Sequence, residues 1–539
     1  MAAIAPPNGK KNGKQKSKRE AAFVAEESFD WFSLLSGAGW GALLGLSAPG
    51  IDQWYLAWVG LVPLLLSIAS STSGKQAFLR GLSFGLGYNL VALSWYLGLQ
   101  PLDWLGYNSW EGWALASLAL LVNATHQGLI IGLFALACKM IPMTGTILPR
   151  KMQSKWKLPA LLTIPLLFVL IVNKIGNAHD ALGVPWSMLE YSQWRQSSLI
   201  QCASVIGGIG IEFLLVFVNT TLAAFVATLW KKRDFPLLVA QSKEHAFYNL
   251  LFTGVTLLAV TALGYFVSPD YKVAAEVPVS VLQGNINIDM QKTAHKYTLD
   301  ELYSRYATML AQCSDQIVVL TESALPAYLR GERNLINALC ENARGNKIDM
   351  VIGALDDDER GRPYNGAFGI TSSGTFQSQA YHKRYLVPFG EYTPLLVQYF
   401  PEWIKRLTNT PAGGGFESGK QPVILDLSGR RIAPLICFEC LSPELVASSV
   451  RSGGQLIVNV SDLAWFHRSI IGRQMLAFSV FRAIENGRYF VFAANTGPSA
   501  IIDPSGRIKE LSQLDRQTVL TGKVGLSSKL TPFTQWFIF

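Results

Sequence analysis

Residues 434–440 read PLICFEC. An apolar run stops at Cys437, with Glu439 and Cys440 close behind. A thiol beside a carboxylate at the end of a buried strand admits four readings: core, redox pair, half a metal site, or nucleophile. Runs of the same texture surround it: VPVSVLQG, QIVVLTES, DMVIGAL, RIAPLIC and QLIVNVS, all between residues 275 and 525. Between several of them lie helix-like stretches at 296–315, 332–345 and 471–487. That alternation predicts an α/β domain of about 250 residues.

The rest of the chain has a different character. Of 539 residues, 50% are hydrophobic and only 15% charged, with 15 tryptophans. So apolar a composition points to a membrane protein of more than one domain. Residues 1–30 are polar and basic, which predicts a disordered, cytoplasmic N-terminus. Seven apolar segments follow, at about 31–48, 54–70, 79–100, 112–138, 158–174, 199–229 and 247–267. They predict a membrane domain of about seven transmembrane helices over 31–267, since a span needs ~20 residues. With the N-terminus inside, the inside loops and flanks carry 17 Lys and Arg and the outside ones 2. Basic loops stay in the cytoplasm. Residues 275–525 are therefore expected on the extracytoplasmic side. The same placement explains the net charge of +9 through anionic lipid and without nucleic acid. The last stretch, 526–539, is a short apolar tail that includes QWFIF.

Three segments of the α/β domain end in reactive residues. QIVVLTES delivers Glu322, TFQSQAYHK delivers Lys383 and RIAPLIC delivers Cys437. In α/β sheets, sites form at the carboxyl ends of strands. A carboxylate can take a thiol proton, and an ammonium can hold the oxyanion of a tetrahedral intermediate. Spacing alone leaves open that Cys437 is core and the two charges are solvated loop residues.

The motifs around these residues are specific: QGN at 283–285, TESALP at 321–326, YHKRYLVPFGEYTP at 381–394, ICFE at 436–439 and RAIENGRYFVFAANTGPSAIIDPSGR at 482–507. With PWSMLEYSQ at 185–193 in the membrane part, the chain resembles the apolipoprotein N-acyltransferase family, the membrane-bound branch of the nitrilase, or carbon-nitrogen hydrolase, superfamily. The resemblance covers roughly residues 30–530. It implies a multi-pass α-helical membrane domain followed by a nitrilase-like α-β-β-α sandwich. It makes Glu322 the general base, Lys383 the oxyanion stabiliser and Cys437 the nucleophile. It adds Glu391, Glu439 and Asn365 as supporting residues, and Phe438 as a neighbour of the nucleophile. It implies transfer of a fatty acyl chain from a membrane phospholipid, through a Cys thioester, to the α-amino group of a diacylglyceryl apolipoprotein. No metal or diffusible cofactor is expected. The setting implied is the bacterial inner membrane, with the lipid bilayer as partner. The chain departs from the family pattern in three places. Only WFIF stands where an eighth helix is usual, SDLAWF replaces NDAWF at 461–466, and Met475 rather than His follows Gln474.

Two aromatic stretches suit a bilayer interface: 394–407, with Phe400 and Trp403, and 463–468, with Trp465 and Phe466. The alternative is that these rings pack on the domain itself. Gly413, Gly414 and Gly415 offer a hinge to the first. Cys437 and Cys440 form a lone C-x-x-C with no second half, so Cys440 reads as an inert neighbour. GGIG at 207–210 reads as small-residue packing, and Glu212 as an intramembrane carboxylate with a possible role. The rival functions are a membrane-anchored amidase acting on a small solute and a ligand-binding transporter or receptor.

Overall fold

The computed structural model describes residues 31–103, 106–145, 157–176, 185–230, 238, 242–267, 276–286, 298–314, 316–388, 390–392 and 415–536. The basic N-terminus, the whole 394–407 stretch with Phe400 and Trp403, and Gly413 and Gly414 lie outside the described residues.

Each apolar segment contains helix. The N-terminal part is built from α1 (Trp31–Gly45), α2 (Val62–Ser70), α3 (Gly74–Ala92), α4 (Ser109–Met140), α5 (Ala160–Phe168), α6 (Ala203–Leu229) and α7 (Lys243–Val267). Among the described residues, α4, α6 and α7 are long and apolar enough to cross a membrane. The helices start where caps allow. Ser73 accepts from the Gln76 N–H at the head of α3, and Asn108 and Glu111 form a capping box on α4. α1 and α3 touch backbone to backbone. A Cβ on Gly41 would sit 1.9 Å from the Phe84 carbonyl oxygen, and one on Gly87 2.0 Å from that of Ala38. Small residues at such crossings permit the close approach that drives helix association in lipid. Outward faces of α4 and α7 carry Trp113, Leu121, Phe252 and Leu258, all exposed, as a hydrocarbon surround requires.

The C-terminal part contains two mixed sheets. The first comprises β1 (Glu276–Gln283), β2 (Ile317–Leu320), β3 (Leu325–Tyr328), β4 (Asp349–Asp357), β5 (Pro363–Ile370), β6 (Tyr381–His382) and, joining later in the chain, Thr518–Gly525. Its order is Thr518–Gly525, β1, β2, β4, β5, β6, with β3 on β4 and a parallel centre β1–β2–β4. The second comprises β7 (Leu425–Leu427), β8 (Arg430–Ile436), β9 (Leu456–Ser461), β10 (Phe490–Ala494), β11 (Ala500–Ile502) and β12 (Ile508–Leu511). They lie in reverse order, β12 to β7, with β8, β9 and β10 parallel.

Alternation along β2 explains the layering. Val318 and Leu320 pack with Leu302 and Tyr306 of α8 (Leu299–Leu310) and Leu339 of α9 (Arg333–Asn346). Ile317 and Val319 point the other way and share a core with Leu435, Val458 and Val491 of the second sheet. Successive strand residues face opposite sides, so a strand buried on both faces must be apolar throughout. The second sheet is covered in turn by α10 (Pro443–Arg451) and α11 (Ile471–Asn486). The result is the α-β-β-α sandwich. Helix α11 is also pressed against α6 of the N-terminal part: the Gly208 N–H donates to Glu485 Oε1 at 2.9 Å. Gly208 lies next to a break in α6, where Gly207 has φ 68° and the Phe533 ring fills the space a side chain would need. The GGIG stretch is thus a packing joint.

Candidate active site

Glu322 comes from the loop after β2, Asn365 from β5, and Lys383 from the residue after the two-residue strand β6. The TFQSQAYHK run is strand only at Tyr381–His382. Cys437 directly follows β8. The first sheet therefore supplies the carboxylates and the ammonium, and the second sheet the thiol.

The charged groups form a closed square. Glu322 Oε1 accepts from Asn365 Nδ2 at 2.8 Å and lies 3.3 Å from Lys383 Nζ. Glu391 Oε1 accepts from the same two donors, Lys383 Nζ at 2.8 Å and Asn365 Nδ2 at 2.9 Å. The remaining oxygens are held by backbone: Glu322 Oε2 by the Asp462 N–H at 2.8 Å, and Glu391 Oε2 by the Val387 N–H at 2.9 Å. Lys383 is 1% exposed, and two neighbouring carboxylates offset its desolvation, so its ammonium is held well above the usual lysine range. Two of its three N–H groups are directed at carboxylates, leaving the third for another acceptor.

Cys437 has φ 54°, a left-handed conformation that a side chain rarely adopts. Such strain persists only where surroundings impose it. Here the imposing group is Glu439. Its Oε2 accepts from the Ile436 N–H and the Tyr381 hydroxyl, both at 2.7 Å. Its Oε1 accepts from the Arg384 N–H at 2.6 Å and the Tyr385 N–H at 3.2 Å. One buried carboxyl thus staples the turn of Cys437 to the turn of Lys383. Burial pushes the Glu439 carboxyl up, against the pull of these donors and of the Arg384 guanidinium. Asn459 Nδ2 completes the clamp by donating to the Cys437 carbonyl at 3.1 Å.

The Cys437 thiol is pushed well above its ordinary value by burial and by the negative charge of Glu322 and Glu391, with Lys383 opposing. Cys440 is fully buried against Met475, and burial raises its thiol to about 12. Among the described residues, no cluster of three His, Cys, Asp or Glu side chains has metal-binding geometry.

Phe438, next to Cys437, meets the Trp186 ring at 4.7 Å and Phe466 at 6.2 Å, and both of these meet Trp95. Of the 463–468 aromatics, Phe466 therefore packs on this aromatic wall. Trp465 is half-buried in the short turn Ala464–Phe466. Gly415, the end of the glycine run, pairs with Tyr392 beside Glu391, and its φ of 85° suits glycine. Glu212 is buried, accepting from Asn173 Nδ2 at 2.9 Å and the Leu189 N–H at 3.2 Å. Sequence reasoning missed the Asp462 N–H, Asn459 and Trp186. Trp186 stands inside the PWSMLEYSQ motif, but nothing in its spacing says which ring it touches.

A strained strand-end cysteine beside a Glu–Lys–Glu cluster in an α-β-β-α sandwich defines a carbon-nitrogen hydrolase, and the carbon-nitrogen hydrolase family model matches residues 279–528. The model of the apolipoprotein N-acyltransferase N-terminal domain matches residues 40–221. A relative in Geobacter metallireducens named apolipoprotein N-acyltransferase is 31% identical over 90% of this chain and 88% of its own. One of the same name in Nitrosomonas europaea is 32% identical over 87% and 86%. Among solved structures, the C. elegans NitFhit protein is 19% identical, with a TM-score of 0.38, over 48% of this chain and 62% of that one. The chain belongs to the apolipoprotein N-acyltransferase family.

Proposed function

We propose that the protein transfers a fatty acyl chain from a membrane phospholipid to the free α-amino group of an S-diacylglyceryl cysteine at the N-terminus of an apolipoprotein. Cys437 attacks the phospholipid ester carbonyl while Glu322 takes the thiol proton. The tetrahedral oxyanion forms against Lys383. Its collapse breaks the ester bond, Glu322 returns the proton to the departing lysophospholipid oxygen, and a thioester remains on Cys437. The acceptor amine then attacks the thioester carbonyl, Glu322 takes an amine proton and passes it to the leaving thiolate, and the N-acylated product departs. Splitting the transfer into two covalent steps is what such a nucleophile provides. Because the thiol is protonated at rest, the base has to act within each attack.

The observation that carries this reading is the contact of Phe438 with Trp186. The residue after Cys437 packs on a ring from the helical domain, so Cys437 stands close to where that domain and the sandwich meet. An amidase acting on a small solute has no use for that joint. The skew of 17 inside against 2 outside basic residues, under the seven-span arrangement, supports an extracytoplasmic sandwich on the inner membrane.

The test is intact mass after exposure to phospholipid vesicles without acceptor. An added fatty acyl mass, removed by neutral hydroxylamine and missing in Cys437→Ala and Glu322→Gln, is expected. Steady transfer with no adduct overturns the covalent route. Hydrolysis of short amides without lipid transfer favours the amidase. For orientation, Arg360→Cys should react with an impermeant maleimide in intact spheroplasts, and protection there reverses the topology.

A further inference from the structure

A polar side chain from the sandwich holds the aromatic wall beside Cys437. Gln474, on α11, is 1% exposed. Its Oε1 accepts the Trp186 indole N–H, and its Nε2 donates to the Ala92 carbonyl at the end of α3 at 2.9 Å. Ala92 needs that donor, because an unpaired buried carbonyl is costly. The Trp186 loop is tied to the same helix end from the other side. The Tyr88 hydroxyl donates to the Ser187 carbonyl, and the Ser187 hydroxyl to Asn89 Oδ1, both at 2.6 Å. Gln474 is the member of this network that comes from the sandwich. The Trp186 ring also meets three other rings: Trp95 at 4.8 Å, Phe438 at 4.7 Å and Phe478 at 5.3 Å. Ring contacts are non-directional in depth, whereas a hydrogen bond to the indole N–H fixes where the ring sits.

We propose that Gln474 is a positioning residue that sets Trp186 against Phe438, and through that wall governs how a long acyl chain is received at Cys437. This rests on the acyltransferase reading given above. Removing the carboxamide leaves the square of Glu322, Lys383, Glu391 and Asn365 untouched, so the chemistry at a short acyl group should survive. A long chain received along the wall should bind less well. A carboxylic acid is isosteric with the carboxamide: its carbonyl accepts from the indole and its O–H donates to Ala92. A carboxylate cannot make the second bond.

The experiment uses the full chain in phospholipid–detergent micelles. Two acyl donors are compared, a diacyl phospholipid with C16 chains and p-nitrophenyl acetate. Gln474→Met is expected to raise KM for the phospholipid about tenfold with kcat within about twofold, and to leave p-nitrophenyl acetate turnover within about twofold. Gln474→Glu should approach the wild-type phospholipid KM near pH 6 and drift to that of Gln474→Met near pH 8.5, while the wild type stays flat. In a Trp186→Phe background, where no indole N–H remains, Gln474→Met should add no further change in KM beyond about twofold. Equal losses for both donors, with a lowered unfolding temperature, would make Gln474 merely structural. Unchanged KM in Gln474→Met, or full additivity with Trp186→Phe, would overturn the proposal. Loss of both activities in the wild type would instead count against the acyltransferase reading itself.

Discussion

The two outer helix layers of the sandwich face different worlds. On the first sheet, α9 buries Leu335, Leu339 and Ala343, one stripe at helical spacing, and leaves Asn334 and Asn337 in solvent. On the second sheet, every residue of α11 from Ile471 to Asn486 except Arg473 is buried, including Gln474, Arg482, Glu485 and Asn486. The difference lies in what covers them. Water covers α9, and the helical domain covers α11. The site inherits this asymmetry. Glu322, Asn365 and Lys383 come from the water-facing sheet, and Cys437 comes from the sheet clamped to the apolar domain. A polar side chain on α9 is free to be solvated, but one on α11 has to find a partner inside the joint. Arg482 and Glu485 do so with each other at 2.9 Å, both at 0% exposure.

The largest effects should come where the two sheets meet. Cys437→Ala should abolish acyl transfer, and Lys383→Met should slow both half-reactions by about 100- to 1,000-fold, the usual cost of one oxyanion donor; single-turnover kinetics with phospholipid and then acceptor would separate them. If Lys383→Met slows one half-reaction alone, the cation serves only one tetrahedral intermediate.

Glu439→Ala cuts the staple between the turns. It should lower kcat by about 100-fold through misplacement of Cys437, with alkylation by iodoacetamide still possible. A loss no greater than that of an exposed substitution would mean that the turn is held by Asn459 and the strand instead.

The titration of Cys437 sharpens the same point. Carboxylates raise the thiol and Lys383 lowers it. Glu322→Gln should therefore move the midpoint of thiol alkylation to lower pH, although turnover is lost, and Lys383→Met should move it higher. The wild-type midpoint should lie above that of an ordinary cysteine thiol. The opposite order would indicate a resting thiolate–ammonium pair.

The helix comparison is then tested on stability. Arg482→Met leaves Glu485 buried without its ion partner and should cost about 3–5 kcal/mol in unfolding measurements in detergent. Asn337→Ala on α9 should stay within about 0.5 kcal/mol. Comparable losses would mean that α11 is wetter than its contacts imply. Smallest of all, Cys440→Ala should change turnover by less than about twofold, since this thiol meets the Met475 sulfur and its own pKa is raised to about 12.

Much of this protein was determined by local sequence. Strand texture at 316–323 and 431–437 places Glu322 and Cys437 at strand ends, because a strand buried on both faces must be continuously apolar and a charge can appear only past its end. Helices α8, α9 and α11 lie within a few residues of the stretches that their composition suggests. What only the tertiary structure decided is how distant groups share atoms. That Asn365 donates to both Glu322 and Glu391, that Glu439 bonds the turn of Lys383 rather than a solvent cation, and that Phe466 joins Trp95 and Phe438 depend on two sheets and a helical domain meeting at fixed depth. Helix α11 makes the reason plain. Its sequence interleaves Gln474, Arg482, Glu485 and Asn486 with apolar residues, and such a pattern reports a helix's preference for water on one side. It carries no record of the second domain that takes the water's place.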